Sequence, residues 1–253
     1  MTHPYLAGPR PRAFAHRGWH VGDLAGMENS LSSFRRAVQE GYRYIETDVH
    51  ATADGHVVVH HDDTLDRTTD AQGLVAALPW TEVSRARVGG REPVARLADV
   101  LEELPGTFFN IDVKSEQAVD PIITLLRRTN ALHRVCLASF SDARLARLRK
   151  IAGPALLTSM GPRSAAALWA ARRVPLAGAA VRGQVAQVPV SRGALHIVDH
   201  RFVQAAHRRS LEVHVWTIDD AADMRALLDL GVDGLVTDRP EVLREVLQSR
   251  NSW

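Results

Sequence analysis

Apolar positions follow two alternating rhythms along the chain. Short apolar runs bounded by Gly, Pro, Asp or Asn predict strands at 13–15, 44–49, 108–113, 135–139, 155–158, 178–181, 212–217 and 234–237. Between them, apolar residues recur at helical spacing, as with Leu97, Val100, Leu101 and Leu104 at i, i+3, i+4 and i+7. A first helix starts at Glu28-Asn29-Ser30, capped by Asn29 or Ser30, carries Leu31, Phe34 and Val38 on one stripe, and ends at Gly41. Further helices are predicted at 118–129, 142–151, 164–172, 201–209 and 220–230. The last begins with Asp238 as its cap and Pro240 in its first turn. A turn at Ala53-Asp54-Gly55 and the run 57–59 deliver His60-His61-Asp62. The stretch from Leu65 to Pro93 is polar and irregular.

Eight strands with helices between them predict a parallel sheet, because each parallel crossover needs a helix. Eight such units in 253 residues match a (β/α)8 barrel of the TIM type, in the α/β class. The alternative, an open doubly wound sheet, would place a glycine-rich phosphate loop after its first strand, where this chain has His16-Arg17-Gly18. No shift in composition marks a linker, so residues 1–253 are expected to form one domain.

Composition changes this picture little. The formal net charge is +2, with no basic block interleaved with aromatics, so nucleic acid is not expected as a partner. The lone Cys136 rules out an internal disulfide and sits in an apolar run, as a core thiol would. The N-terminus lacks the apolar core of a signal peptide, and no run is long enough to cross a membrane. A cytoplasmic protein is therefore expected, with no stable membrane insertion; oligomeric state is left open.

The chemistry gathers at predicted strand ends, where barrel enzymes place their active sites. Glu46 and Asp48, two apart on one strand, point to the same face and repel unless a cation lies between them. They make half of an oxygen-ligand site for a divalent metal, and Asp112 on the next strand adds a third carboxylate. His16 follows the first strand. A second histidine, His60 or His61, arrives after the 57–59 run, and adjacent residues on an extended chain point opposite ways. Arg17 offers a planar fork of donors, and Lys114 is a compact charge in a chain with only two lysines. Trp216 ends the seventh strand. Each has an ordinary structural explanation alone: a satisfied histidine, a surface ion pair between Asp112 and Lys114, a core Trp216. Together, two histidines, three carboxylates and two cations suit acid–base chemistry on a phosphodiester.

These residues carry a resemblance. His16-Arg17-Gly18, Glu28-Asn29, Glu46-Thr47-Asp48-Val49, the Thr52-to-Gly55 turn, His61-Asp62-Asp63-Thr64-Leu65-Asp66-Arg67-Thr68-Thr69, Trp216-Thr217 and the run Gly231 to Pro240 follow a known pattern in order and spacing. The chain resembles the glycerophosphodiester phosphodiesterase family, whose members are (β/α)8 barrels. The resemblance implies hydrolysis of a glycerophosphodiester to sn-glycerol 3-phosphate and an alcohol, with Mg2+ or Ca2+. It implies His16 and His61 as the acid–base pair, Glu46 and Asp48 as metal ligands, Arg17 and Lys114 as phosphate contacts, and Trp216 as pocket wall. Where the family pattern has Glu-x-Lys, this chain has Asp112-x-Lys114. That draws the carboxylate back by about 1.5 Å and leaves metal contact direct or through water. Attack by water and attack by the substrate's own glycerol hydroxyl both remain open.

Two other activities stand beside this one. Lysophospholipase D chemistry would be favoured by an apolar patch at the mouth, with Trp19 and Leu24 as candidates. A non-catalytic barrel that binds phosphoesters would be favoured by loss of His16, His61, Glu46 or Asp48, and all four are present. A zinc amidohydrolase would need an H-x-H pair after the first strand, and only His16 is there.

Overall fold

The computed structural model describes residues 3–253, the side chain of Pro175 excepted. Eight parallel strands form the barrel: β1 (Arg12–His16), β2 (Tyr44–Ala51), β3 (Phe108–Val113), β4 (Val135–Ala138), β5 (Leu157–Thr158), β6 (Val185–Pro189), β7 (Glu212–Trp216) and β8 (Gly234–Thr237). Neighbours in sequence pair in parallel, and β8 returns to β1, with Ala15 opposite Thr237. The seam between β5 and β6 is the thinnest. It closes through a parallel bridge from Ser159 to Val185, with Met160 N donating to Val185 O at 2.9 Å and Gln184 N to Thr158 O at 3.0 Å.

Eight helices cover the outside: α1 (Leu31–Gln39), α2 (Leu97–Glu103), α3 (Val119–Arg128), α4 (Asp142–Ala152), α5 (Pro162–Ala171), α6 (His200–His207), α7 (Ala221–Leu230) and α8 (Pro240–Ser249). Their starts are chemical. The side chains of Ser30, Ser141, Asp199 and Asp220 accept backbone N–H groups from the first turns of α1, α4, α6 and α7, and Pro opens α5 and α8. Ser30, of the two candidates, is thus the cap of α1.

Alternation along the strands builds the interior in layers. Ile45, Val49, Ile111 and Leu137 face outward into the cluster beneath the helices. Inward residues are polar at both ends and apolar between. At the floor, buried Arg12 donates to both oxygens of Glu212 at 2.7 and 2.8 Å, to the Tyr44 hydroxyl at 2.6 Å and to Leu6 O at 2.8 Å. Above it Phe14 packs on Tyr44 and His214, with Cys136, Leu157, Val185 and Val236 around them. Cys136 is thus the core thiol expected, and burial pushes it well above the usual thiol range, so it stays protonated at neutral pH.

Three expectations are corrected. The sixth strand is β6, not 178–181. Residues Pro175–Ala180 coil as a 3-10 helix, and a Cβ at Gly178 would fall 2.0 Å from an Arg209 nitrogen. β6 was hidden because inward Gln187 interrupts its apolar run, while outward Ala186 and Val188 join the helix-side core. Asp238 does not cap α8: Arg239 holds that position, without a side-chain cap. The stretch from Leu65 to Pro93, expected to be irregular, instead holds a 3-10 turn (Val75–Ala77), a short helical turn (Trp80–Val83) and a small antiparallel ladder of Arg87–Val88 with Glu92–Pro93, and Leu65, Val75, Val83, Ala86, Val88 and Val94 give it a small core with Met27 and Val58.

The floor pair is expected to be coupled. Arg12→Met alone should lower the unfolding free energy by about 3–5 kcal/mol, because it strands a buried carboxylate. Arg12→Met together with Glu212→Leu should cost less than the two single changes summed. Urea denaturation of the three variants measures this; strictly additive losses would refute the coupling.

Candidate active site

The upper end of the barrel opens into a cavity of about 970 Å³. All eight residues singled out in the sequence line it: His16, Arg17, Glu46, Asp48, His61, Asp112, Lys114 and Trp216. Strand register accounts for the carboxylates. His16 lies opposite Glu46, and Asp48 opposite Asp112, so alternation brings three acids onto adjoining strands with the same orientation.

β2 runs on past the barrel and folds back on Val57–Val59, and His60 N donates to Asp48 O at 3.0 Å. This hairpin separates the two histidines. His60 is buried, bonds Thr64 O at 2.8 Å and is held below its usual pKa by burial. His61 faces the cavity, with its Nδ1 2.5 Å from Asp62 Oδ1.

Arg17 sits in the left-handed region, at φ 54°, which a β-carbon disfavours. Its N–H donates to Glu46 O at 2.8 Å, and its carbonyl accepts from Asn29 N at 2.9 Å. Gly18 follows at φ 91°, where a Cβ would lie 2.4 Å from Ser33 Oγ, so the third residue of His-Arg-Gly has no room for a side chain.

Charge balance is local. Lys114 Nζ lies 2.8 Å from Asp48 Oδ1 and 2.8 Å from Asp112 Oδ2. Arg17 Nε lies 3.3 Å from Asp48 Oδ2, which also accepts from Asn29 Nδ2 at 3.0 Å. Burial works against the Asp48 charge, but Lys114 and Arg17 outweigh it and hold the carboxyl below its usual range. Burial likewise works against Lys114, yet Asp48 and Asp112 keep it firmly protonated. Glu46 has no such cation. Burial first, and then the charge of Asp48, push it up to about 8. Its Oε2 is buried without a hydrogen-bond partner, as is Asp112 Oδ1, and His16 Nε2 is 3.7 Å away.

The opposite half of the cavity is apolar, formed by Phe140, Met160, Trp169, Leu195, Ile197 and Trp216. Phe140 is 67% exposed and meets Trp216 edge to face at 5.7 Å. Trp19 is not part of this wall: it is buried against Tyr42, with Arg244 over its ring. Leu24 packs on the small cluster around Met27 instead.

The model of the Glycerophosphoryl diester phosphodiesterase family matches residues 16–242. The chain belongs to the glycerophosphoryl diester phosphodiesterase family. It is similar to "Probable glycerophosphodiester phosphodiesterase 2" of Mycobacterium tuberculosis (strain ATCC 25618 / H37Rv), 36% identical over 247 residues, covering 95% of this chain and 92% of that one. It is also similar to the crystal structure of a glycerophosphodiester phosphodiesterase from Agrobacterium tumefaciens (TM-score 0.76, 28% identity, 92% of this chain and 99% of that one). An Oleispira antarctica phosphodiesterase in complex with the product sn-glycerol-3-phosphate shares the fold (TM-score 0.77, 24% identity, 94% and 97% covered).

Within this family frame, motif residues given no role at the site by the sequence acquire contacts. Arg67 Nε donates to Asp62 Oδ2 at 2.6 Å, and its two terminal nitrogens reach Glu28 at 2.8 and 3.0 Å. Glu28 also accepts from Arg17 Nη1 at 2.9 Å, so one chain of ion pairs joins Arg17 to His61. Asp238 accepts from His16 Nδ1 at 2.6 Å and contacts His20 Nε2 at 3.2 Å. Membership of the H-D-x-x-L-x-R and T-D-x-P motifs was the available signal; nothing in spacing alone says which partner each residue takes.

The raised Glu46 has a consequence for the metal-free protein. Its proton stays bound in the folded state at pH values where the unfolded chain has lost it. Stability should therefore fall as pH rises from about 4.5 towards about 8. Asp48, held low, contributes only at more acid pH. Glu46→Gln should flatten the slope, as measured by urea denaturation at pH 5 and 8.5; an unchanged slope would remove Glu46 as its source.

Proposed function

We propose that this chain hydrolyses glycerophosphodiesters to sn-glycerol 3-phosphate and an alcohol, with His16 and His61 as the acid–base pair. The observation that carries this is convergence. Two histidines, three carboxylates, Arg17 and Lys114, from three strands and one hairpin, face one cavity. Arg17 and Lys114 would take the phosphoryl oxygens. One histidine would accept the proton of the attacking hydroxyl, and the other would protonate the departing alcohol, each at its Nε2.

Glu46, Asp48 and Asp112 are proposed to hold one divalent cation, Mg2+ or Ca2+. Their hard oxygen donors suit those ions. The buried, unpartnered Glu46 Oε2 and Asp112 Oδ1, together with the raised pKa of Glu46, support this reading, as features of a site short of positive charge. Among the described residues, no three His, Cys, Asp or Glu side chains are already gathered as a metal cage, and Lys114 lies between Asp48 and Asp112. A bound cation would neutralise phosphoryl charge and lower the pKa of an attacking hydroxyl.

The apolar wall favours a second substrate class. A cavity of about 970 Å³ with Phe140, Trp169, Leu195 and Ile197 on one side has room for an acyl chain. Lysophospholipids are therefore proposed as alternative substrates, cleaved by the same residues.

Three outcomes are expected. His16→Ala and His61→Ala should each lower kcat on glycerophosphocholine by about 10²–10⁴, measured as sn-glycerol 3-phosphate release with Mg2+ or Ca2+ restored after chelation. Full activity in either variant would defeat the acid–base assignment. Calorimetric titration of either ion at pH 7 should release protons from the wild type and fewer from Glu46→Gln. Phe140→Ala should raise KM for lysophosphatidylcholine several-fold and leave glycerophosphocholine nearly unchanged; equal effects on both would remove the acyl-chain subsite.

A further inference from the structure

We propose that Asp238 is a positioning residue that fixes the tautomer of His16, presenting a bare Nε2 to the cavity. The inference deepens the proposed hydrolysis and rests on His16 acting there. A neutral imidazole carries one N–H, and the partner of the other nitrogen decides where it sits. His16 Nδ1 is 2.6 Å from Asp238 Oδ1, a carboxylate that can only accept. The proton is thereby held on Nδ1. Nε2 is left on the side of Glu46, whose Oε2 lies 3.7 Å away, and of the cavity. A free imidazole favours the opposite tautomer, so the structure must impose this one.

Asp238 is itself held for the task. It follows β8, the strand beside β1, and Ala15 lies opposite Thr237, so one further step along both strands brings His16 and Asp238 together. Its backbone N–H donates to Asp219 Oδ1 at 2.8 Å, and Thr237 Oγ1 donates to the same oxygen at 3.0 Å. His20 Nε2 contacts both Asp238 Oδ1, at 3.2 Å, and His16 O, at 3.1 Å, spanning the pair. The obvious structural role is vacant: Asp238 was expected to cap α8, yet that helix has no side-chain cap and the carboxylate points to His16. A side chain 40% exposed is not held there by packing either. His61 shows the same device, with Asp62 on its Nδ1, but Asp62 is shared with Arg67, whereas among the described residues the side-chain partners of Asp238 are both histidines.

The test separates orientation from mere stability. In Asp238→Asn, the amide can donate to Nδ1 and drive the proton to Nε2. Asp238→Asn should lower kcat on glycerophosphocholine by up to about 10⁴-fold with KM within about twofold, by analogy with the loss of the orienting carboxylate in serine-protease triads. Asp238→Glu should recover part of it. In a His16→Ala background, Asp238→Asn should cause no further loss, since the two act as a unit. Two-bond proton–nitrogen NMR of histidine-labelled protein, above the pH at which His16 titrates, should show Nδ1–H in the wild type and Nε2–H in Asp238→Asn. An unchanged His16 tautomer, a loss confined to KM, or an equal loss in the His16→Ala background would each overturn the proposal. Were the wild type to hydrolyse no glycerophosphodiester, the proposed function would fall, while the NMR comparison would still decide whether Asp238 sets the tautomer.

Discussion

The structure at the upper end of the barrel turns on three carboxylates that register forces together. Asp48 and Asp112 lie opposite each other on neighbouring strands, and Glu46 is one pleat below. At an effective dielectric of about 20, two unit charges 4 Å apart interact by about 4 kcal/mol, so three buried acids need compensation. Lys114 supplies most of it by reaching Asp48 and Asp112 at once. A planar guanidinium prefers to grip one carboxylate with two nitrogens, whereas an ammonium is a point donor that can bridge two. That is a physical reason for lysine here in a chain whose only other lysine is Lys150. Arg17 adds the second positive charge, and its left-handed backbone is held by bonds to Glu46 O and from Asn29 N. What is left uncompensated is Glu46, and that shortfall is the basis for proposing a cation.

The same alternation that creates the problem confines it. On β1 the inward residues are Arg12, Phe14 and His16; on β7 they are Glu212, His214 and Trp216. A sealed ion pair closes the floor, an aromatic layer with Cys136 and Val236 fills the middle, and the groups that line the cavity come last. The apolar middle layer keeps the floor charges from the upper site and gives the upper carboxylates a dry, rigid base. Gly234 belongs to this layering: a Cβ there would be 3.0 Å from Arg12 O, Phe14 and His214 at once.

Much of this was legible in the chain, because strand period and strand ends are local properties. Glu46 and Asp48 share a face by spacing alone, and the eight predicted site residues all reach one cavity. What failed to show in the sequence depended on partners distant along the chain. Gln187 looked like a break in an apolar run because its use, a hydrogen bond from its side chain to Asn110 at 2.8 Å, lies across the barrel. Trp19, adjacent to the His-Arg-Gly motif, looked like mouth but turns outward under α8, where Arg244 covers it. Asp238 before Pro240 has the pattern of a helix cap, and only the closure of β8 onto β1 shows that His16 competes for it and wins.

That competition separates the motif residues near the C-terminal end into two kinds of work. In Gly231-Val232-Asp233-Gly234, the first glycine ends α7 in the left-handed region, and Asp233 ties Arg10, His207 and the Val213 N–H together at the floor. These residues close the barrel. Asp238, five positions beyond Asp233, has crossed to the opposite end and bonds His16. β8 is only four residues long, so one short strand carries the chain from the group that seals the base to the group that orients His16. Any change that shifted β8 by a residue against β1 would reverse which faces its side chains meet and would break both contacts together. The register that closes the barrel is therefore also what aims the histidine.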